Sequence, residues 1–336
     1  MEQIYPWQEK LWQSWTSLRT RLPHALLLRG PQGIGKLDFA LNIAQSLLCA
    51  QPLPNGFACD QCPSCHWFKQ KTHPDFRLIQ PDALAALEEV KDSAKKPAQQ
   101  ISVDQIRALS GFTHQSAHQD GYRVVLIHPA ETMNGSAANA LLKTLEEPSG
   151  RMLLILVSHK PQQLLLTIVS RCLALTAATP PREVSVAWLQ QQGISAAVPI
   201  LAQASFAPLQ AARLAEDTAR VGEHHNFLQA VMQPEKLDGF ALAEQLQRIE
   251  PVHLIHWLQL WCHDLVSFKL TGQVRYHLEA IDSISRAAAK LNLFNMLRFQ
   301  KELVLAKRQA SHPLNPKLLF ESLLLAYRHT MLGKAA

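Results

Sequence analysis

Hydrophobic and polar positions fall into two regimes along the chain. Up to about residue 177, short and almost unbroken apolar runs alternate with stretches of helical period. The runs lie at 24–29, 76–80, 123–127 (RVVLI), 152–157 (MLLILV) and 173–176. Runs of this kind, lacking a polar face, are what parallel strands covered on both sides require. Helical periods separate them at 37–48, 103–111, 136–147 and 162–170. In the 136–147 stretch Ser136 is placed to cap, Ala138, Leu141, Leu142 and Leu145 make one stripe, and Pro148 ends it. The alternation predicts a three-layer α/β domain on a five-stranded parallel sheet.

Residues 82–100 read as a solvated insertion between a strand and the next helix. After residue 177 the strand signals stop. Thr179, Pro180 and Pro181 form a linker, and the remainder of the chain is helical almost to its end. The last helix has Asn315 as cap, Pro316 at its first position, and Leu318, Leu319, Leu323 and Leu324 on one side. No internal repeat of solenoid period is present.

The richest chemistry lies in Gly30-Pro-Gln-Gly33-Ile-Gly35-Lys36-Leu37. It succeeds a predicted strand and opens a predicted helix, as a loop that cradles phosphate must. A working loop places Ser or Thr after the lysine to ligate Mg²⁺, and Leu37 has no oxygen to offer. The third strand should end in Asp followed by Glu. Here it ends Ile127-His128-Pro129-Ala130-Glu131, so both acidic positions are lost unless Glu131 reaches back, and it is three residues too late for the usual geometry. A loop kept for its shape therefore outweighs a competent ATPase, with weak nucleotide binding through Gly30, Gly33, Gly35 and Lys36 left open.

Four of six cysteines, Cys49, Cys59, Cys62 and Cys65, fall within 17 residues. Three thiols at period three in a Pro/Gly-flanked loop have no packing reason. Four thiolates suit a closed tetrahedral Zn²⁺ with no open position for chemistry. His66 or His73 could replace one ligand, Cys49 first. Cys172 and Cys262 read as buried apolar residues. Pro74 forces His73 into an extended conformation, and Asp75 suits a turn cap. Glu146 and Glu147 close a helix against its macrodipole, which suits either a subunit contact or a solvated face. His224 and His225 read as helix surface without metal spacing.

Composition narrows the picture further. Apolar residues make up 47% of the chain, enough for ordinary cores, and exclude general disorder. Thirty-three basic against 27 acidic side chains give +6, spread evenly, which permits a polyanionic partner without demanding one. No run approaches the ~18 apolar residues of a membrane span, and the start lacks a secretory apolar core. Six cysteines are too few for a disulfide scaffold, so a cytoplasmic protein is expected.

The run Asn139-Ala-Leu-Leu-Lys-Thr-Leu-Glu-Glu-Pro148, then a β-run and Ser170-Arg171-Cys172, resembles the clamp-loader branch of the AAA+ ATPases. Tyr5-Pro6-Trp7, the four-cysteine insertion and the segment from His312 to Leu325 extend the likeness over the whole chain. The resemblance implies an AAA+ domain over 1–176, a small helical lid over 177–207 and a helical collar over 208–336 that oligomerises. It implies gamma/tau-type ATPase subunits and a delta subunit as ring partners, with the sliding clamp and primed DNA met through the complex. It further implies that Arg171 enters a neighbour's ATP site as an arginine finger; by itself Arg171 reads as paired within its own domain. Motor subunits carry a Gly-Ser-x-Arg turn, and Ala204-Ser205-Phe206-Ala207 lacks that arginine. Ser158, where the family has a polar sensor, reads as a strand end. The expectation is a replication protein with structural zinc and no ATPase of its own. Two rivals are an autonomous ATPase motor and a zinc-containing nucleic-acid-binding protein.

Overall fold

The computed structural model describes residues 4–88, 97–114, 121–148, 150–310 and 315–333. The chain forms two compact units, dividing between Val184 and Ser185. The first begins with a short turn, Pro6–Gln8, and α1 (Glu9–Leu18). β1 (Ala25–Arg29) leads through the glycine loop into α2 (Lys36–Leu48), succeeded by the short α3 (Pro63–Lys69). Then come β2 (Phe76–Ile79), α4 (Asp82–Glu88), α5 (Val103–His114) and β3 (Arg123–Ile127). α6 (Gly135–Glu146), β4 (Met152–Ser158), the one-turn α7 (Leu166–Val169) and β5 (Leu173–Thr176) complete it.

The five strands are all parallel, in the order β2-β3-β4-β1-β5, with Leu27 of β1 opposite Leu156 of β4 and Ala174 of β5. This is the predicted α/β class. Alternate residues of each apolar run serve opposite faces, because strand side chains alternate. Leu27, Val125 and Leu154 pack with Leu141 and Leu145 of α6 and Ile106 of α5. Leu26, Val124 and Ile155 pack with Trp12 and Trp15 of α1 and Phe39 and Ile43 of α2.

Several boundaries move. Asn134, not Ser136, caps α6: its side chain accepts from the Ala137 N–H at 2.8 Å, two residues earlier than periodicity suggests. The expected helix at 162–170 is a turn, Pro161–Gln163, and then the single turn of α7. The expected solvated insertion contains α4, and its residues 89–96 lie outside the described residues, as do His312, Pro313 and Leu314.

The second unit is helical. α8 (Arg182–Gln191) crosses the division, and α9 (Ala197–Gln203), α10 (Pro208–Glu216), α11 (Thr218–Val231) and α12 (Gly239–Leu246) come next. α13 (Pro251–Thr271), α14 (Ile281–Lys290), α15 (Leu293–Gln309) and α16 (Pro316–Leu332) end the chain. Its core gathers Trp261 of α13, Phe299 of α15, Phe320 and Tyr327 of α16, and Phe227 of α11. Asn315 caps α16 as expected, accepting from the N–H groups of Lys317 and Leu318. His224 differs from expectation: it is buried beside Trp257 and His277, and burial with the neighbouring histidines pulls its pKa down to about 3. A surface position fails because α11 turns this residue, with Phe227 and Val231, into the bundle.

Candidate functional site

The glycine loop leaves the C-terminal end of β1, in the middle of the sheet. Gly30 donates to the Ser158 carbonyl at 3.3 Å, and a Cβ there would collide with the Ala177 carbonyl. Gly35 sits at the N-cap of α2 with φ +79°, a left-handed conformation that glycine adopts without strain. Over it lies the N-terminal turn. Gln8 is buried and donates to the carbonyls of Ile34 (3.1 Å) and Gly35 (2.8 Å). The Trp7 indole donates to the Ile34 carbonyl at 3.0 Å, and the Tyr5 hydroxyl donates to Asp38 at 3.0 Å. The Tyr5 and Trp7 rings stack in parallel, 5.1 Å apart. Tyr5-Pro6-Trp7 is thus a strap across the loop.

Lys36 is 2% exposed and folds beneath its own loop. Its ammonium donates to the Gly30 carbonyl at 2.7 Å and to the Pro31 carbonyl. Burial lowers its pKa from 10.5 to about 8, and the Glu131 charge opposes that shift. Glu131 does reach back, to the end of β4. The turn Ala130–Thr132 swings it round, and its carboxylate accepts from the His159 N–H at 3.0 Å. His128, at the end of β3, contacts Gln80 and the His159 ring at 3.3 Å each. His159 is held to a pKa of about 4 by burial and by the charges of Lys36 and Lys160. Ser158 ends β4, and its hydroxyl accepts from the Lys160 N–H.

The four predicted thiols come together. α2 ends at Leu48 and delivers Cys49; the loop supplies Cys59 and Cys62, and α3 carries Cys65. Their sulfurs lie within 4.8 Å of one another, with Cys49–Cys59 at 3.5 Å, Cys49–Cys62 at 3.9 Å and Cys59–Cys65 at 4.0 Å. Tetrahedral Zn–S bonds of about 2.3 Å place sulfurs about 3.8 Å apart, so the cage fits zinc. Backbone N–H groups of Cys59 and Cys62 point at the sulfurs of Cys49 and Cys59. At Cys62 burial resists ionisation, yet N–H donors from Cys65 and Ala50 and the neighbouring thiols bring the pKa down to about 6. His73 is engaged elsewhere, with Ser64 at 2.8 Å and the Asp75 N–H at 3.1 Å, and stays outside the cage.

Arg171 lies between α7 and β5, about one-third exposed. One terminal nitrogen meets Glu146 at 2.8 Å and the other donates to the Thr167 carbonyl at 2.9 Å. Leu166 on the same turn is 84% exposed. The sequence alone singles out the loop, the thiols and Arg171, and the structure brings the four thiols together; Gln8, His159 and the partner of Arg171 were missed. A glutamine eight residues from the start carries no local signal; only its contact with a loop 27 residues later gives it a role.

The model of the family described as "DNA polymerase III, delta subunit" matches residues 7–180, and its C-terminal counterpart matches 219–329. DNA polymerase III subunit delta' of Pseudomonas aeruginosa is 36% identical over 97% of this chain and 98% of its own. The subunit delta' of Escherichia coli K12 is 32% identical over 56% of this chain and 53% of its own. A gamma subunit-related protein of Thermotoga maritima superposes with a TM-score of 0.44 at 17% identity, covering 96% of this chain and all of that one. On the sequence matches, the chain belongs to the DNA polymerase III delta'-subunit family.

Proposed function

We propose that this chain is the non-hydrolysing delta-prime stator of a clamp loader, presenting Arg171 in trans to a neighbour's ATP site. One observation carries the reading: the lysine that would reach a phosphate is held instead by carbonyls of its own loop, and a strap of the chain lies over that loop. Lys36 binds the carbonyls of Gly30 and Pro31, and the Tyr5–Gln8 strap bonds to Ile34 and Gly35. With Leu37 after the lysine and His128 at the strand end, the two Mg²⁺-side oxygens of a phosphoryl-transfer site are replaced. Arg171, by contrast, lies at the surface, held by contacts worth little in water.

The rest of the chain serves assembly. The lid over 177–207 and the collar over 208–336 form a helical scaffold for gamma/tau-type ATPase subunits and a delta subunit. α15 supports this: Met296, Phe299 and Leu303 face the bundle, whereas Phe294, Leu297, Val304 and Leu305 are exposed on the opposite face. Zn²⁺ in the cage of Cys49, Cys59, Cys62 and Cys65 pins the loop to α2, a structural role, since four thiolates leave no position for substrate. The assembled ring loads the sliding clamp onto primed DNA in the cytoplasm, and among the described residues no helix is long and apolar enough to cross a membrane.

The test is steady-state ATPase of the reconstituted clamp loader with clamp and primed DNA, comparing wild type with Arg171→Ala. A large fall with assembly intact supports the role in trans. An unchanged rate, with ATP hydrolysis by the isolated chain, makes it an autonomous motor instead. Steeply salt-dependent DNA binding by the isolated chain, lost on Cys62→Ser, would favour the nucleic-acid-binding alternative.

A further inference from the structure

We infer that Glu146 is a holding residue, which keeps Arg171 folded back on its own subunit until a triphosphate competes for it. The inference rests on the role in trans proposed for Arg171. Glu146 is the last residue of α6, where unpaired carbonyls already gather negative charge, so a carboxylate there needs a cation. Arg171 supplies it at 2.8 Å. The other terminal nitrogen reaches the Thr167 carbonyl, four residues back on the same turn, which requires the side chain to curl onto its own backbone. These two nitrogens are the ones a finger presents to a phosphate. In the free chain both are engaged, and reaching a neighbour requires the side chain to uncurl.

The hold is built to be weak. Glu146 is 51% and Arg171 36% exposed, so water and salt screen the pair. An exposed pair of this kind biases the arginine by about 1.5- to fivefold. A triphosphate carries more charge than one carboxylate, competes for the same donors and repels Glu146. The site on this turn for a second chain is marked by Leu166, 84% exposed beside Leu165 at 39%. Docking there brings the neighbour's nucleotide to the pair, and Glu146 sets how readily the finger is released.

The experiment measures kcat and KM for ATP in the reconstituted clamp loader without clamp or DNA, using wild type, Glu146→Gln, Arg171→Ala and the double variant. Holding predicts that Glu146→Gln raises kcat about 1.5- to fivefold with KM unchanged, and that the double variant matches Arg171→Ala. A Glu146→Gln rate equal to or below wild type, with Arg171→Ala impaired, overturns the hold and leaves the finger standing. A gain from Glu146→Gln that persists without Arg171 also overturns it. If Arg171→Ala has no effect, the finger reading itself fails. Unchanged unfolding of Glu146→Gln shows that the rate effect is not a folding defect.

Discussion

The ring of Tyr5 lies against Gly35, so close that a Cβ on the glycine would stand well under 3.0 Å from it. The same Cβ would meet the Gln8 carboxamide at 2.9 Å. A residue near the start of the chain and one in the phosphate-type loop thus shape each other. The strap is fixed to the loop by packing as well as by hydrogen bonds.

Gly35→Ala should therefore destabilise the first unit by about 2–4 kcal/mol, combining left-handed strain with displacement of the strap. Urea unfolding monitored by Trp7 exposure would show it. Gly111→Ala is the control, since among the described residues nothing lies within 4 Å of its added Cβ and alanine favours helix. Equal effects of the two substitutions would refute the strap contact.

Lys36 gives a pH signature. Its pKa falls from 10.5 to about 8 on folding. Between those values the unfolded chain holds a proton that the folded chain has released, so this group adds stability as pH rises. The urea midpoint of wild type should gain on that of Lys36→Met between about pH 7.5 and about pH 10. A constant difference would mean that the lysine is not desolvated in solution.

The thiol cage predicts one equivalent of zinc per chain. Cys62→Ser should release it and cost at least about 3 kcal/mol, which lowers the thermal midpoint of the first unit by about 6–12 °C. Metal content by emission spectroscopy, with calorimetry alongside, checks both. A chain purified without zinc and no less stable after the substitution would refute a structural metal.

Tyr327 joins three helices in the second unit. It accepts from the Trp261 indole at 2.7 Å and donates to the Val231 carbonyl at 2.8 Å. Tyr327→Phe leaves both groups buried and unpaired, for a loss of about 2–4 kcal/mol. Chemical denaturation of the full chain would resolve it, and a change below about 0.5 kcal/mol would contradict the relay.

Phe294 tests assembly. It is 76% exposed, so Phe294→Asp should leave stability within about 0.5 kcal/mol. Sedimentation with the partner subunits should nevertheless show roughly tenfold weaker association or worse. Undiminished association would place the collar contact elsewhere.

Much of this protein is written in local sequence. Strand runs such as RVVLI and MLLILV are buried on both faces, and that requirement fixes their composition, so β3 coincides with its predicted range and β4 differs by one residue. The four cysteines and the glycine loop are equally legible, because ligand spacing and bare backbone are local demands. Tertiary structure decided what depends on contacts across the chain. It placed Gln8 and Tyr5 on Gly35, swung Glu131 to the His159 N–H, buried His224 in the helical unit and set Glu146 against Arg171. These partners stand 25 or more residues apart along the chain, or depend on which side of a helix the bundle covers. Periodicity and spacing report on neighbours within a few turns, whereas a strap over the loop or an Arg171–Glu146 pair exists only once the sheet has brought its strand ends together.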